Sequence, residues 1–356
     1  MKLSIIIPFG LSKERPFIKE RLFKKILSLK SDENLEFIFV EGFSSEDCDF
    51  KDELLRQGHI YLKDEKQKAF SQGACRNLGA LKASAKVLLF LDIDCFLSQK
   101  SLEKILELIK IRKIDEKEDE FFLLPCLYLS KEGSEFLNSV DEALWDTLAQ
   151  NDILRAEKKI VLNLASASSV LVVNKQKFLE LGGFDENFLG HGYEDFDFLA
   201  RLMLKTLSFE KMPRNLAYDA RNWNFDTYEG FRALFSLLGY ETMYLGLYAL
   251  HFYHEAINQN GYFDNREKNH KLFFERLKIY EKEFKDLEKQ RNFPLKNLAY
   301  KPYLYEIKYG KQKGGNFLKI YISHFKFYRL FRKFISSPRL FFKDMKIFKG
   351  KNVLPK

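Results

Sequence analysis

Apolar positions in the first hundred residues follow two alternating rhythms. Residues 3–7 form a short apolar run, interrupted by Ser4 and closed by Pro8, and read as a buried strand. Residues 15–29 place Phe17, Ile18, Leu22, Ile26 and Leu29 at helical spacing. Residues 35–40 are again largely apolar and stop at Glu41-Gly42; residues 59–62 make a further short strand. A helix is predicted over 71–85, with Ala74, Leu78 and Leu81 on one face. An apolar strand at 87–91 runs into Asp92-Ile93-Asp94, and Ser101 is expected to cap a helix through 103–109. The middle predicts strands at 121–128 and 168–173. A short helix over 174–181 ends at Gly182-Gly183, where a left-handed cap suits glycine. An aromatic helix is expected over 231–254 and a long charged one over 266–289.

Mostly apolar strands separated by helices imply a parallel sheet covered on both faces. Ligands of such sheets sit beyond the carboxyl ends of the strands. Glu41, Asp92 and Asp94 close their strands at that edge.

Composition narrows the class. The chain has 356 residues, 46% hydrophobic and 31% charged, a globular balance that excludes whole-chain disorder. Cys48, Cys75, Cys95 and Cys126 show no CxxC spacing, so they read as buried, reduced thiols of a cytoplasmic protein. The apolar run after Met1-Lys2 is too short for a signal-peptide core. The most apolar long stretch, 233–254, carries Glu241, His251 and His254 and is not expected to span a bilayer. The net charge of +9 is uneven. From Tyr300 onward 15 Lys/Arg face only Glu306 and Asp344, a local +13 that leaves −4 for the rest. A mildly acidic body disfavours nucleic acid as a partner. The basic tail interleaves Phe317, Ile320, Phe325, Phe331 and Phe334 with Lys319, Lys326, Arg329 and Arg332. That pattern suits an anionic membrane surface, or a helical appendage packed on the body.

Four segments carry candidate chemistry. Asp92 and Asp94 point the same way in an extended segment and suit a divalent cation that also holds phosphate oxygens; a solvated acidic turn is the plainer alternative. Gly190-His191-Gly192-Tyr193-Glu194-Asp195-Phe196-Asp197 puts three carboxylates before an apolar helix, as dipole-favoured caps or as a general base beside an open glycine approach. His251 and His254 lie three apart, which on a helix would put both on one face, for metal or for packing. Arg76, within Gly73-Ala74-Cys75-Arg76-Asn77-Leu78-Gly79, can reach a phosphate or a base from the first turns of its helix, or lie on the surface. No GxxxxGK[ST], strand-borne GxGxxG or GxSxG is present, which argues against P-loop, dinucleotide and α/β-hydrolase chemistry.

In this order, Ser4-Ile5-Ile6-Ile7-Pro8, Ala74-Cys75-Arg76-Asn77-Leu78-Gly79 and Leu89-Phe90-Leu91-Asp92-Ile93-Asp94 resemble family 2 glycosyltransferases of the GT-A fold. Gly182-Gly183-Phe184-Asp185-Glu186 and Gly192-Tyr193-Glu194-Asp195-Phe196-Asp197 resemble the segment shared by β-1,4-galactosyltransferases and bacterial chondroitin polymerases. The resemblance implies an α/β catalytic domain over 1–275, its nucleotide-binding half at 1–100 and its acceptor half at 101–275. An aromatic helical insert is expected near 218–250, and a helical, basic-aromatic extension over 276–356. It also implies inverting transfer of a hexose or N-acetylhexosamine from a UDP-sugar to a growing capsular or similar surface glycan, with Mn²⁺ or Mg²⁺, in the cytoplasm or at the cytoplasmic face of the inner membrane. Asp94 and His254 would hold the metal, with Asp219 and His251 as competing ligands. Pro8, Glu41, Arg76 and Asp92 would line the nucleotide-sugar site. Asp195 would be the base, Glu194 would hold the acceptor, and Gly192 and Tyr193 would line its site. Tyr193 stands where that family has a small glycine, which narrows the space beside the acceptor. A non-catalytic glycan-binding scaffold of the same fold is the alternative. A sugar nucleotidyltransferase fits less well, because Pro8-Phe9-Gly10-Leu11-Ser12-Lys13 replaces its glycine-rich loop.

Overall fold

The computed structural model describes residues 2–290 apart from 48, 68, 210–211, 220–227 and 259–260, together with 334–335. The first half alternates as the apolar rhythm predicts: β1 (Leu3–Phe9), α1 (Phe17–Ser28), β2 (Leu35–Glu41), α2 (Lys51–Arg56), β3 (Ile60–Lys63), α3 (Gln72–Lys82) and β4 (Val87–Phe90). Then come β5 (Cys95–Phe96), α4 (Gln99–Arg112), β6 (Phe121–Leu123), β7 (Cys126–Leu129), α5 (Lys131–Asn138), α6 (Trp145–Arg155), β8 (Val161–Ala165), β9 (Leu171–Asn174) and α7 (Lys175–Glu180). The chain continues through α8 (Glu194–Thr206), α9 (Phe231–Tyr244), β10 (Ala249–His251) and α10 (Arg266–Gln290).

The main sheet has strand order β3-β2-β1-β4-β9-β6. Its first four strands are parallel and β9 runs against both neighbours. This is the expected mostly parallel sheet flanked by helices. One face buries Leu3, Ile5 and Ile7 against α1 and α4; the other buries Ile6, Ile38 and Leu88 against α3, α8, α9 and α10. Alternate side chains of one strand thus serve opposite cores. Helix α3 approaches β1 so closely that a Cβ on Gly79 would lie 2.5 Å from the Ile6 side chain.

Pro8 opens the site. Leu91 N–H donates to the Ile6 carbonyl, so Ile6, and two residues on Pro8, face β4. Strand β4 pairs only as far as Ile6, and a proline with no N–H loses nothing where its neighbour has ended. The sheet splits there into a cleft, at the strand ends where doubly wound folds bind ligands.

Several local expectations change. The strand expected at 121–128 is two strands in two sheets, because Leu124-Pro125 turns the chain from β6 to β7. Ser98, not Ser101, caps α4, its Oγ accepting from Ser101 N–H at 3.1 Å. The helix expected over 231–254 ends at Tyr244, and the chain re-enters as β10. Helix α7 matches its expectation: Asn174 caps it, and Gly182 and Gly183 have φ of 77° and 67°. The compact unit runs through Gln290, and α10 packs along α8. Of the extension beyond, only 334–335 are described, and they are helical.

Candidate active site

A second, four-stranded sheet of order β5-β10-β7-β8 assembles the first cluster. Cys95 of β5 pairs with His251 of β10, and Phe252 N–H donates to the Asp94 carbonyl at 3.1 Å. This pairing brings Asp94 to residues 251–254 although the sequence separates them widely. Asp94 Oδ2 lies 3.1 Å from His254 Nε2 and 3.4 Å from His251 Nε2. His254 Nδ1 lies 2.9 Å from the Glu255 carbonyl, which only accepts, so Nδ1 carries the hydrogen and Nε2 is the atom turned to Asp94. Phe17 stacks on His254 with centroids 4.6 Å apart, and Tyr128 stacks on His251 at 4.3 Å. Arg21 Nη2 donates to the Phe252 and Tyr253 carbonyls and clamps the turn.

One carboxylate and two imidazoles, with donor atoms within 4.8 Å of one another, fit a divalent cation. Burial opposes the charge on Asp94, but the His251 charge and hydrogen bonds from both imidazoles hold its carboxyl well below the usual range. Burial likewise opposes protonation of His251, yet Asp94 lifts it to about 9. The histidines do not share a helix face as their spacing suggested; a strand and the turn after it aim them. Asp219 takes no part in this cluster, since its Oδ1 accepts from Arg232 Nε.

The second cluster opens α8. The chain reaches it through Gly190, with φ of 71° and so close to the Tyr262 carbonyl that a Cβ would lie 2.4 Å from that oxygen. Gly192 follows at φ 98°, and Tyr193 at φ 76° adopts the left-handed conformation that side chains disfavour. Tyr193 is held there by stacking on Phe273 at 5.4 Å and by its hydroxyl, 3.5 Å from Asp219 Oδ2. The bulk that replaces the expected glycine is therefore buried against α10, at the cavity wall. Asn269 Nδ2 donates to the Leu189 and His191 carbonyls and fixes the same loop.

Arg76 is fully buried between the clusters. Its Nη2 lies 2.5 Å from Asp92 Oδ1 and its Nη1 3.4 Å from Glu194 Oε1. Ser169 Oγ donates to the other Asp92 oxygen at 2.7 Å. Arg76 thus supports two site carboxylates from behind, neither on the surface nor open to a ligand. Burial, then the neighbouring Asp195 charge, pushes Glu194 up to about 7, against the opposing pull of Arg76. Burial also raises Asp195, whose Oδ1 accepts from Phe196 N–H. The third acid, Asp197, is structural: fully buried, it accepts from Arg201, Arg276 and Tyr280 and ties α8 to α10.

A cavity of about 1010 Å³ joins these groups. Pro8, Asp92, Asp94, Gly192, Tyr193, Glu194, Asp195, His251 and His254 all line it. Glu41 does not; it is fully buried under the Tyr61 hydroxyl with Lys63 Nζ at 3.6 Å, so the nucleotide-sugar contact expected of it is not open here. Sequence reasoning missed Arg15, which lines the cavity and has a buried Nε without a hydrogen-bond partner among the described residues. It also missed Tyr128, Ser169, Arg232 and Arg266. Arg15 carried a readable signal, a cation just past the turn after β1, at the cleft edge.

Two crystal structures of S. aureus TarS resemble the chain. The 1–349 form is 16% identical, with 57% of this chain and 56% of that one covered and a TM-score of 0.38. The other is 15% identical, with 57% and 34% covered and a TM-score of 0.35. The chain thus spans little more than half of the first and about a third of the second. No curated protein matches the chain in sequence. A family profile covers most of the described unit: by its match over residues 4–279, the chain belongs to the glycosyltransferase-like family 2.

Proposed function

We propose that the chain transfers a hexose or N-acetylhexosamine from a UDP-sugar to a hydroxyl of a surface glycan, with inversion at the anomeric carbon. The observation that carries this reading is that Asp94, His251 and His254 share one cavity with Asp195. The Glu194-Asp195 pair after a glycine approach supports kinship with β-1,4-galactosyltransferases and chondroitin polymerases, and with it a role in capsular or similar polysaccharide.

Asp195 accepts the proton of the acceptor hydroxyl at a carboxylate oxygen as the hydroxyl oxygen attacks the anomeric carbon and the bond from that carbon to the UDP phosphate oxygen breaks. Its raised proton affinity suits it to that task better than an ordinary aspartate. Glu194, anchored by Arg76, hydrogen-bonds the acceptor from the same turn. Arg15, in the loop between β1 and α1, faces the diphosphate and offsets charge on the leaving group. Asp94, His251 and His254 would hold a divalent ion, which when bound would supply Lewis-acid stabilisation of that leaving group. Two imidazoles beside one carboxylate suit Mn²⁺ better than Mg²⁺, which prefers oxygen ligands.

The test is nucleotide release from a panel of sugar nucleotides, with and without Mn²⁺. Metal-dependent release from a UDP-sugar is expected. Asp195→Asn should lower turnover roughly 10²–10⁴-fold while UDP affinity holds. Absence of release from every donor, in either condition, overturns the reading.

A further inference from the structure

The cavity wall also carries two arginines that the proton transfer does not use. Arg232 in the first turn of α9 and Arg266 at the start of α10 both line it. Arg232 is laid flat on aromatic rings, its guanidinium carbon 4.9 Å from the Phe196 ring centre and 5.0 Å from that of Phe231. Asp219 accepts from its Nε, and among the described residues its two Nη groups make no hydrogen bond. Arg266 is exposed to the cavity and makes no ion pair among the described residues. The acids closest in sequence are engaged elsewhere: Glu267 with Lys271, and Asp264 with Asn258.

A planar guanidinium with its Nη edge free is matched to a carboxylate or phosphate, which it binds through paired charged hydrogen bonds. Tyr262 and Phe263 add flat apolar surface to this part of the wall, suited to the face of a sugar ring. We propose that Arg232 and Arg266 bind an oxyanion, a carboxylate or phosphate, carried by the acceptor glycan. The ligand's identity as a glycan rests on the function proposed above; the oxyanion site does not. The acceptor is then an acidic polymer, and the two arginines set its register against Asp195.

The test titrates the full chain, with Mn²⁺ and UDP present, using three matched oligosaccharides that end in glucuronate, in glucose 6-phosphate or in glucose. Wild type should bind one or both charged probes about ten-fold more tightly than the neutral one, as charge-assisted bonds require. Added salt should erode the difference. Arg266→Gln, at an exposed position, should lose most of the preference, and Arg232→Gln should do the same if it folds. Which charged probe wins names the oxyanion. Equal binding of the neutral probe by wild type, or a preference that survives Arg266→Gln, overturns the proposal. UDP binding is read separately: charge preference without any UDP binding overturns the UDP-sugar reading and leaves the oxyanion site standing.

Discussion

Lys25 illustrates what a single residue at this site has to tolerate. It lies on α1, is fully buried, and its ammonium donates to the Cys95 carbonyl directly after Asp94 while resting 3.9 Å from the Phe96 ring centre. Burial, only partly offset by the nearby Cys95 and Asp94, depresses its proton affinity to about 7. Unfolded, the same amine titrates near ~10.4. Between those values the unfolded chain holds a proton that the folded chain has shed, so folding stability rises with pH through that window and is lowest below it. Lys25→Met keeps the volume and removes the titration. With chelator present, its stability gain over wild type should shrink by about 1.4 kcal/mol per pH unit from pH 7 upward, read by urea unfolding at several pH values. A gap that does not change with pH would mean that Lys25 stays charged in the fold. Arg76 meets the opposite situation, since two carboxylates keep its guanidinium charged despite full burial.

At the scale of elements, the wall of the cavity depends on one close contact. Helix α9 crosses the loop after β8 at Gly239, where a Cβ would fall 1.7 Å from the Ser166 carbonyl oxygen. That neighbour is backbone, so the strain cannot be relieved by a rotamer. Gly239→Ala should destabilise the fold by roughly 1–3 kcal/mol, as overpacking does, although alanine is the better helix former. Because residues 163–169 line the cavity, acceptor KM should rise more than donor KM. An unchanged melting temperature would show that α9 sits farther from the loop. The same scale explains what the sequence could reveal. Strands β1, β2 and β4 are buried on both faces, so their apolar runs announced them. Strands β5 and β10 are two and three residues long and exist only through pairing with each other and with β7. No local pattern encodes that, and His251 and His254 were therefore assigned to a helix. Motif order, which survives without geometry, singled out Asp94, Glu194 and Asp195, and all three line one cavity. It singled out Arg76 too, but not its burial, because the two carboxylate partners of Arg76 come from different segments of the chain.

For the whole molecule, the division of charge matters more than its total. The unit that ends at Gln290 carries two large cores on either side of the main sheet and a smaller one behind the second sheet, around Trp145 and Phe252. It has what a domain needs to fold alone. The basic excess lies almost entirely beyond it, at +13 from Tyr300 onward against −4 for the rest. No helix among the described residues is long and apolar enough to cross a membrane. Attraction to a bilayer would then fall to the segment after Gln290, at ~1 kcal/mol per basic residue held near an anionic surface and screened by salt. A chain cut after Gln290 should keep its melting temperature within a few degrees and stay in the supernatant with phosphatidylglycerol vesicles. The full chain should sediment with them and be released by salt of roughly 0.5 M, where the screening length falls below about 5 Å. If the shortened chain sediments equally well, the mildly acidic body itself holds the membrane. The attraction would then have to come from apolar insertion, which salt does not weaken.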